Sequence, residues 1–176
     1  MKTTILAIVG ASGSGKTYMA EYLKQQCGVP TIVSFTTRPK RSDETDGVEH
    51  WFVDTKRIPK KEKMLASTIF GGYAYWTEKQ QLIHNGICTY VIDEDGLKKL
   101  EIMAQAMDLN IIPLLVKRDE SYLKNISKER RDRDKNRNQL PNDYYKYIIE
   151  NNGTLKEFHK NILLINKEIK LWQHQK

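Results

Sequence analysis

Gly10-Ala11-Ser12-Gly13-Ser14-Gly15-Lys16-Thr17 decides the fold class, because it matches G-x-x-x-x-G-K-[ST] between a strand-like and a helix-like segment. The glycines let successive backbone N–H groups curl around an anion with no Cβ in the way. Lys16 adds a point charge, the Thr17 hydroxyl suits a hard cation, and the helix that follows aims its positive end at the same place. Upstream, Thr3–Val9 is a short β-branched apolar run, the kind that makes a strand buried on both faces. Downstream, Lys16 to Gln26 carries Met19, Tyr22 and Leu23 on one helical face and stops near Gly28 and Pro30.

The alternation continues outward. Thr31–Val33, Ile87–Ile92, Ile111–Val116 (despite Pro113) and Tyr147–Glu150 read as strands, with helices over Leu97–Met107 and from Glu120 to about Arg131. Asp132–Asn142 reads as a charged loop. After the turn Asn151-Asn152-Gly153, the capping box Thr154-x-x-Glu157 opens a helix with Leu155, Phe158, Ile162, Ile165 and Trp172 at helical spacing. This order predicts an α/β P-loop fold of three layers, with a central parallel sheet and helices on both faces. Residues 34–86 break the pattern: 34–63 are polar and turn-rich, Thr68–Trp76 reads as a hairpin or bent strand, and Thr77–His84 as a helix. The expected organisation is one domain over 1–176, with a core (1–33, 87–125, 143–176), an acceptor-binding insertion (34–86) and a short lid (126–142).

Composition narrows the function. The 176 residues carry 29 Lys+Arg against 22 Asp+Glu, a formal charge of +7, with 39% apolar residues, which fits one soluble domain and excludes wholesale disorder. No apolar run reaches the ~18 residues of a membrane helix, and the N-terminus lacks the pattern of a secretory signal. Cys27 and Cys88 stand apart, without metal-ligand spacing, which points to a reducing cytoplasm. His84, His159 and His174 have no partner spacing, and Tyr144, Tyr145 and Tyr147 read as packing beside the last strand rather than a base-stacking patch. The positive balance suits small phosphates; a nucleic-acid-binding ATPase would need a larger basic surface.

A P-loop over Gly10, Ala11, Ser12, Gly13, Ser14, Gly15, Lys16 and Thr17 implies a nucleoside triphosphate, most often ATP with Mg²⁺, and places Thr17 on the metal. Ser34-Phe35-Thr36-Thr37-Arg38-Pro39-Lys40-Arg41 follows the second strand and would face the same crevice. Arg38 and Arg41, three apart, can fork around a phosphate dianion; taken alone, the run also reads as a solvated basic loop. Together with SFTTRPKRSDETDGVEHWFVD (34–54), GGYAYWT (71–77) and VIDEDG (91–96), the sequence resembles the guanylate kinase family over residues 4–96. YIIENNGTLKEF (147–158) resembles the last strand, turn and helix of nucleoside monophosphate kinases generally.

The resemblance implies transfer of the γ-phosphoryl of ATP to GMP or dGMP. It puts Arg38, Arg41 and Tyr75 on the acceptor's phosphate, Ser34 and Thr77 at its base, and Asp93 near acceptor and metal. It also puts Asn151 near the adenine of ATP. His50 stands where the family has a phosphate-binding Tyr, unless a one-residue shift brings Trp51 there. Ala66 stands where a base-reading Glu is expected, Trp76 replaces a Gly, and Val91 replaces an acidic residue. Without that Glu, GMP or dGMP should still be the best acceptor but with discrimination against other purines weaker than a carboxylate would give, and another nucleotide or a sugar phosphate such as ribose bisphosphate stays open as acceptor. A non-catalytic binding module fits less well with intact Lys16, Thr17 and Arg38. Lys128, Arg130, Arg131, Arg133, Lys135 and Arg137 crowd the lid segment, where arginines can stabilise charge on the transferring group; Arg130 and Arg131 are the first choices and Arg133 the third. The expected partners are small nucleotides, with neither nucleic acid nor membrane, and with a homodimer left open.

Overall fold

Thr4–Val9 (β1) contains no exposed residue, so both of its faces must be covered. Ile5, Ala7 and Val9 point to one side, and Leu6 and Ile8 to the other, each into its own apolar cluster. This computed structural model describes residues 2–83, 86–123 and 126–174, and the side chains of residues 129, 133 and 174 also lie outside the description. From β1 the chain enters Lys16–Cys27 (α1), returns through Thr31–Ile32 (β2), and then leaves the main sheet. Phe35–Thr36 (β3), Trp51–Phe52 (β4), Met64–Phe70 (β5) and Tyr73–Glu78 (β6) form a second, mostly antiparallel sheet in the order β4-β3-β6-β5. The chain comes back with Ile87–Val91 (β7), Glu94–Ala106 (α2), Asn110–Lys117 (β8), Lys128–Lys135 (α3), Tyr147–Glu150 (β9) and Leu155–His174 (α4).

Among the described residues the main sheet runs β2-β7-β1-β8-β9, every pair parallel, as the alternation of strands and helices predicts. On one face, Met19, Ala20 and Leu23 of α1 and Phe158, Ile162 and Ile169 of α4 cover Leu6, Ile8, Leu114 and Val116. On the other, Leu97 and Leu100 of α2, with Leu65 and Ala66 of β5, cover Ile5, Ala7, Cys88 and Tyr90. Pro113 is tolerated inside β8 because its carbonyl accepts from Lys146 N–H, just before β9 begins; its missing donor points to a side with no strand yet in place.

The capping box forms as expected, with Glu157 N–H donating to Thr154 Oγ1 at 3.2 Å and Thr154 N–H to Glu157 Oε2 at 2.7 Å. Two local expectations need correction. Thr77 and Glu78 finish β6 and only a single 3₁₀ turn, Lys79–Gln81, follows; pairing with Ala66 and Met64 and burial of Trp76 and Thr77 override the helical reading. His84 and Asn85 lie outside the described residues. The helix expected from Glu120 to about Arg131 is instead a 3₁₀ turn, Glu120–Tyr122, and then α3, which starts only at Lys128 and runs on through Lys135 into the supposed loop. α3 reads KERRDRDK and carries no apolar period by which to be seen. α2 starts at Glu94, earlier than the expected Leu97, because Asp93 caps it by accepting from Gly96 N–H at 2.7 Å. No helix among the described residues is long and apolar enough to cross a membrane.

Ile162 is fully enclosed between α4 and the sheet. Ile162→Ala should therefore lower the unfolding free energy by ~2–5 kcal/mol in urea denaturation. A loss below about 1 kcal/mol would mean that the α4 contact is not part of the core.

Candidate active site

A cavity of about 280 Å³ opens at the carboxyl ends of β1, β2 and β7, where a parallel sheet of this kind exposes backbone groups to a ligand. One end is the P-loop. Gly13 adopts φ 75° and Gly15 φ 106°, conformations that glycine tolerates and other residues resist. A Cβ on Gly13 would lie 2.2 Å from Ile126 Cδ1, and one on Gly15 would lie 2.7 Å from Asn151 Nδ2. The turn is therefore closed from outside as well as strained from within. Lys16 Nζ donates to the carbonyls of Gly10 and Ala11 at 2.8 Å each, so the lysine lies folded over its own loop. Burial, then the charges of Arg137 and Arg130, lower its pKa to about 7 against the opposing pull of Asp134 and Glu94. The buried Ser14 Oγ has no partner among the described residues, which fits a cradle built for phosphate oxygens.

The other end holds the second anion site. Thr37 N–H donates to Ala74 O, and Ala74 N–H to Thr37 Oγ1, each at 3.0 Å; Thr36 Oγ1 donates to the same carbonyl. The two threonines thus pin the turn after β3 to β6 and aim Arg38 inward. Arg38 is 6% exposed and makes a bidentate contact with Glu44, at 2.9 and 2.6 Å, while its Nε donates to Tyr75 Oη at 3.2 Å. Arg41 donates to Glu44 from its backbone N–H and from Nη1. Phe52 lies under the Arg38 guanidinium at 5.3 Å. Ser34 Oγ meets His50 Nδ1 at 2.8 Å, and the His50 ring packs edge-on against Tyr75. His50 and Trp51, the two alternatives of the sequence reading, are placed differently. His50 lines the cavity, whereas Trp51 is 41% exposed and lies over Gly47.

Residues of the 126–142 segment reach the P-loop and the start of α2. Asp134 accepts from Ser12 N–H at 2.7 Å and from Ser12 Oγ at 3.1 Å. Arg137 makes a bidentate, buried ion pair with Glu94, and Asn138 Nδ2 donates to the Asp95 carboxylate at 2.9 Å. Arg130 and Arg137 line the cavity.

Most of the expected residues converge: Gly10, Ser12, Lys16, Thr17, Ser34, Arg38, Arg41, His50, Tyr75, Asp93 and Arg130 all border this one opening. Ala11, Gly13, Ser14 and Gly15 shape the loop from behind it. Other residues named from the sequence do not line this opening. Asn151 is directed at the loop, donating to Ser14 O at 2.9 Å, rather than at the cavity. Thr77 is fully buried and bonded to Tyr90, one layer below the cavity wall. Ala66 is sealed in the core, and Thr68 and Phe70 are the β5 residues that reach the wall. Arg131 is exposed and outside the lining, and the Arg133 side chain lies outside the described residues. Glu44, Asp134 and Tyr90 were not singled out from sequence, and Arg137 was counted in the basic run of 126–142 without being among the arginines chosen. Only Glu44 carried a local signal, as a lone carboxylate three residues beyond Arg41.

A family model described as guanylate kinase matches residues 1–165. The guanylate kinase of Frankia casuarinae is 40% identical over 87 residues, which cover 47% of this chain and 46% of that protein. That of Coxiella burnetii is 30% identical over 141 residues, 74% of this chain and 66% of the relative. The chain thus spans from about half to just under two thirds of these two curated relatives. The crystal structure of guanylate kinase from Anaplasma phagocytophilum superposes with a TM-score of 0.63 at 16% identity, covering 96% of this chain and 87% of that one, which shows the same fold.

Burial alone would raise the Glu44 carboxyl, but the hydrogen bonds and charges of Arg38 and Arg41 outweigh it and hold its pKa at about 2. A carboxyl lowered on folding stabilises the protein above its unfolded value of 4.5, and that contribution is lost as pH falls toward 2. Denaturant titrations over this range should show a stability slope that Glu44→Gln flattens, the variant being less stable at pH 7. Identical slopes in both proteins would mean that the ion pair does not form in solution.

Proposed function

The chain belongs to the guanylate kinase family, and we propose that it transfers the γ-phosphoryl group of ATP to GMP or dGMP, giving ADP and GDP or dGDP. One observation carries this reading: the P-loop and the Arg38–Arg41 fork border a single cavity under a cationic lid. Two anion sites facing each other across one opening suit a donor and an acceptor that both bear phosphate.

The triphosphate lies along Gly10–Thr17, where loop N–H groups and the α1 N-terminus receive it. Lys16 leaves the Gly10 and Ala11 carbonyls for the phosphates, and the tetraanion draws its ammonium to the charged form. Mg²⁺, bound with the nucleotide, would supply charge neutralisation at the phosphates. The Thr17 hydroxyl would hold it, with Asp93 on the acceptor side. Among the described residues no cluster of three His, Cys, Asp or Glu forms, which suits an ion carried mainly by substrate phosphates and water. Arg38, Arg41, Tyr75 and His50 take the acceptor's phosphate, and Glu44 fixes the guanidinium planes before it arrives. That phosphate is already an anionic nucleophile, so no strong base is required. Positioning and charge stabilisation do the work, with Arg130 and Arg137 supplying positive charge from the lid. Cys27 and Cys88 are free thiols, which supports a cytoplasmic setting.

Lys16→Ala should reduce kcat by orders of magnitude with the fold intact by circular dichroism; near wild-type turnover would remove the P-loop from the mechanism. Arg41 is 28% exposed and less committed to the fold than Arg38. Arg41→Ala should raise the GMP KM ~30-fold, about 2 kcal/mol for a lost charged contact, and leave the ATP KM nearly unchanged. A loss confined to ATP would put this arginine in the other subsite.

A further inference from the structure

At the acceptor end of the cavity, Thr68 and Phe70 form part of the wall. Ala66, two residues earlier on β5, is 4% exposed and faces Thr77 across the strand pair. β7 delivers Tyr90 to the same place. Tyr90 lines the cavity, is itself 4% exposed, and receives a hydrogen bond on its hydroxyl from Thr77 Oγ1 at 3.2 Å. That bond occupies a lone pair of the phenol oxygen and leaves the phenolic proton to be placed. Among the described residues the Tyr90 hydroxyl has no other hydrogen-bond partner. Burial, then Thr77 in opposition and the neighbouring Asp93 charge, leave the phenol's pKa raised, so it stays protonated at any working pH. Asp93 is turned to Gly96 N–H and the Thr68 hydroxyl. The wall therefore offers a fixed hydroxyl donor, while the position opposite Thr77 offers only a methyl group.

We propose that Tyr90, braced by Thr77, is the residue of this chain that reads the acceptor's base, and that it selects a ring carbonyl, so that 6-oxopurine nucleotides are taken with or without a 2-amino group. The inference rests on the nucleoside monophosphate kinase reading above. The carbonyl of guanine or hypoxanthine accepts the phenolic proton. Adenine presents an amino group there, which leaves two donors face to face and a buried hydroxyl unpaired. A 2-amino group would need an acceptor, and the β5 residues on the wall, Thr68 and Phe70, carry no carboxylate.

The test compares GMP, IMP and AMP, by equilibrium binding and by ATP-dependent turnover, in the full chain and in Tyr90→Phe. In the wild type, GMP and IMP should bind within ~3-fold of each other and AMP at least ~10-fold more weakly. Tyr90→Phe keeps the ring in the core; it should weaken GMP and IMP ~10-fold, leave AMP binding and the ATP KM unchanged, and alter kcat little. Thr77→Val should act in the same direction. An unchanged GMP-to-AMP ratio in Tyr90→Phe overturns the proposal, as does IMP binding tenfold or more weaker than GMP. The expected binding pattern without phosphoryl transfer would uphold Tyr90 and overturn the kinase reading. Transfer to GMP with no effect of Tyr90→Phe would do the reverse, and no binding of any of the three would overturn both.

Discussion

A strand with no exposed residue cannot use water for any of its backbone groups, and β1 is such a strand. Its N–H and C=O groups must be met by a neighbour on each edge, and β7 and β8 supply them in parallel register. Its side chains must be met on each face, which brings α1 and α4 to one side and α2 with the β5 edge of the second sheet to the other. Once those neighbours are in place, the ends of β1, β2 and β7 open at one crevice. The loop leaving β1 is then the natural receiver of a ligand, and the insertion after β2 is carried to its opposite bank. The site is a consequence of how one strand is enclosed.

That much was legible in the sequence because it depends on short-range pattern. The Thr3–Val9 run, the spacing of Gly10 through Thr17 and the capping box at Thr154 are each local, and each appears as read. What was not legible depends on contacts far apart in the chain. Glu94 and Arg137 are 43 residues apart, and neither shows in sequence that the other will neutralise it. Asp134 lies within an alternating-charge run that reads as solvated surface, yet its carboxylate reaches Ser12. Tyr90 sits in ICTYVI, which reads as core, yet it also lines the cavity. Ala66 had the expected spacing from Phe70, but it is sealed in the core while Thr68 and Phe70 reach the wall. Charge signs and spacing alone do not give register.

The cations of the site are not bare. Glu44 holds Arg38 and Arg41, Glu94 holds Arg137, and Asp134 lies on the loop that Lys16 guards. A cluster of uncompensated guanidinium groups would repel itself and resist burial. The carboxylates settle that problem before any nucleotide arrives, and they also fix the planes of the arginines, so orientation is in place at encounter. The insertion has few apolar residues of its own, and this paired charge, with the threonine clamp on Ala74, gives it definite shape.

The contact between Gly13 and Ile126 has a mechanical meaning. Ile126 begins the lid segment, and it bears on the loop at a point where even a methyl group would not fit. Gly15 meets Asn151 and Phe158 in the same way, at the start of the last turn and helix. The loop is thus a joint in which the root of the lid and the base of α4 rest on one short piece of backbone. A rigid joint of that kind transmits displacement rather than absorbing it, as a fulcrum does. Any shift of the loop would therefore press on both supports at once, on Ile126 at one side and on Asn151 and Phe158 at the other.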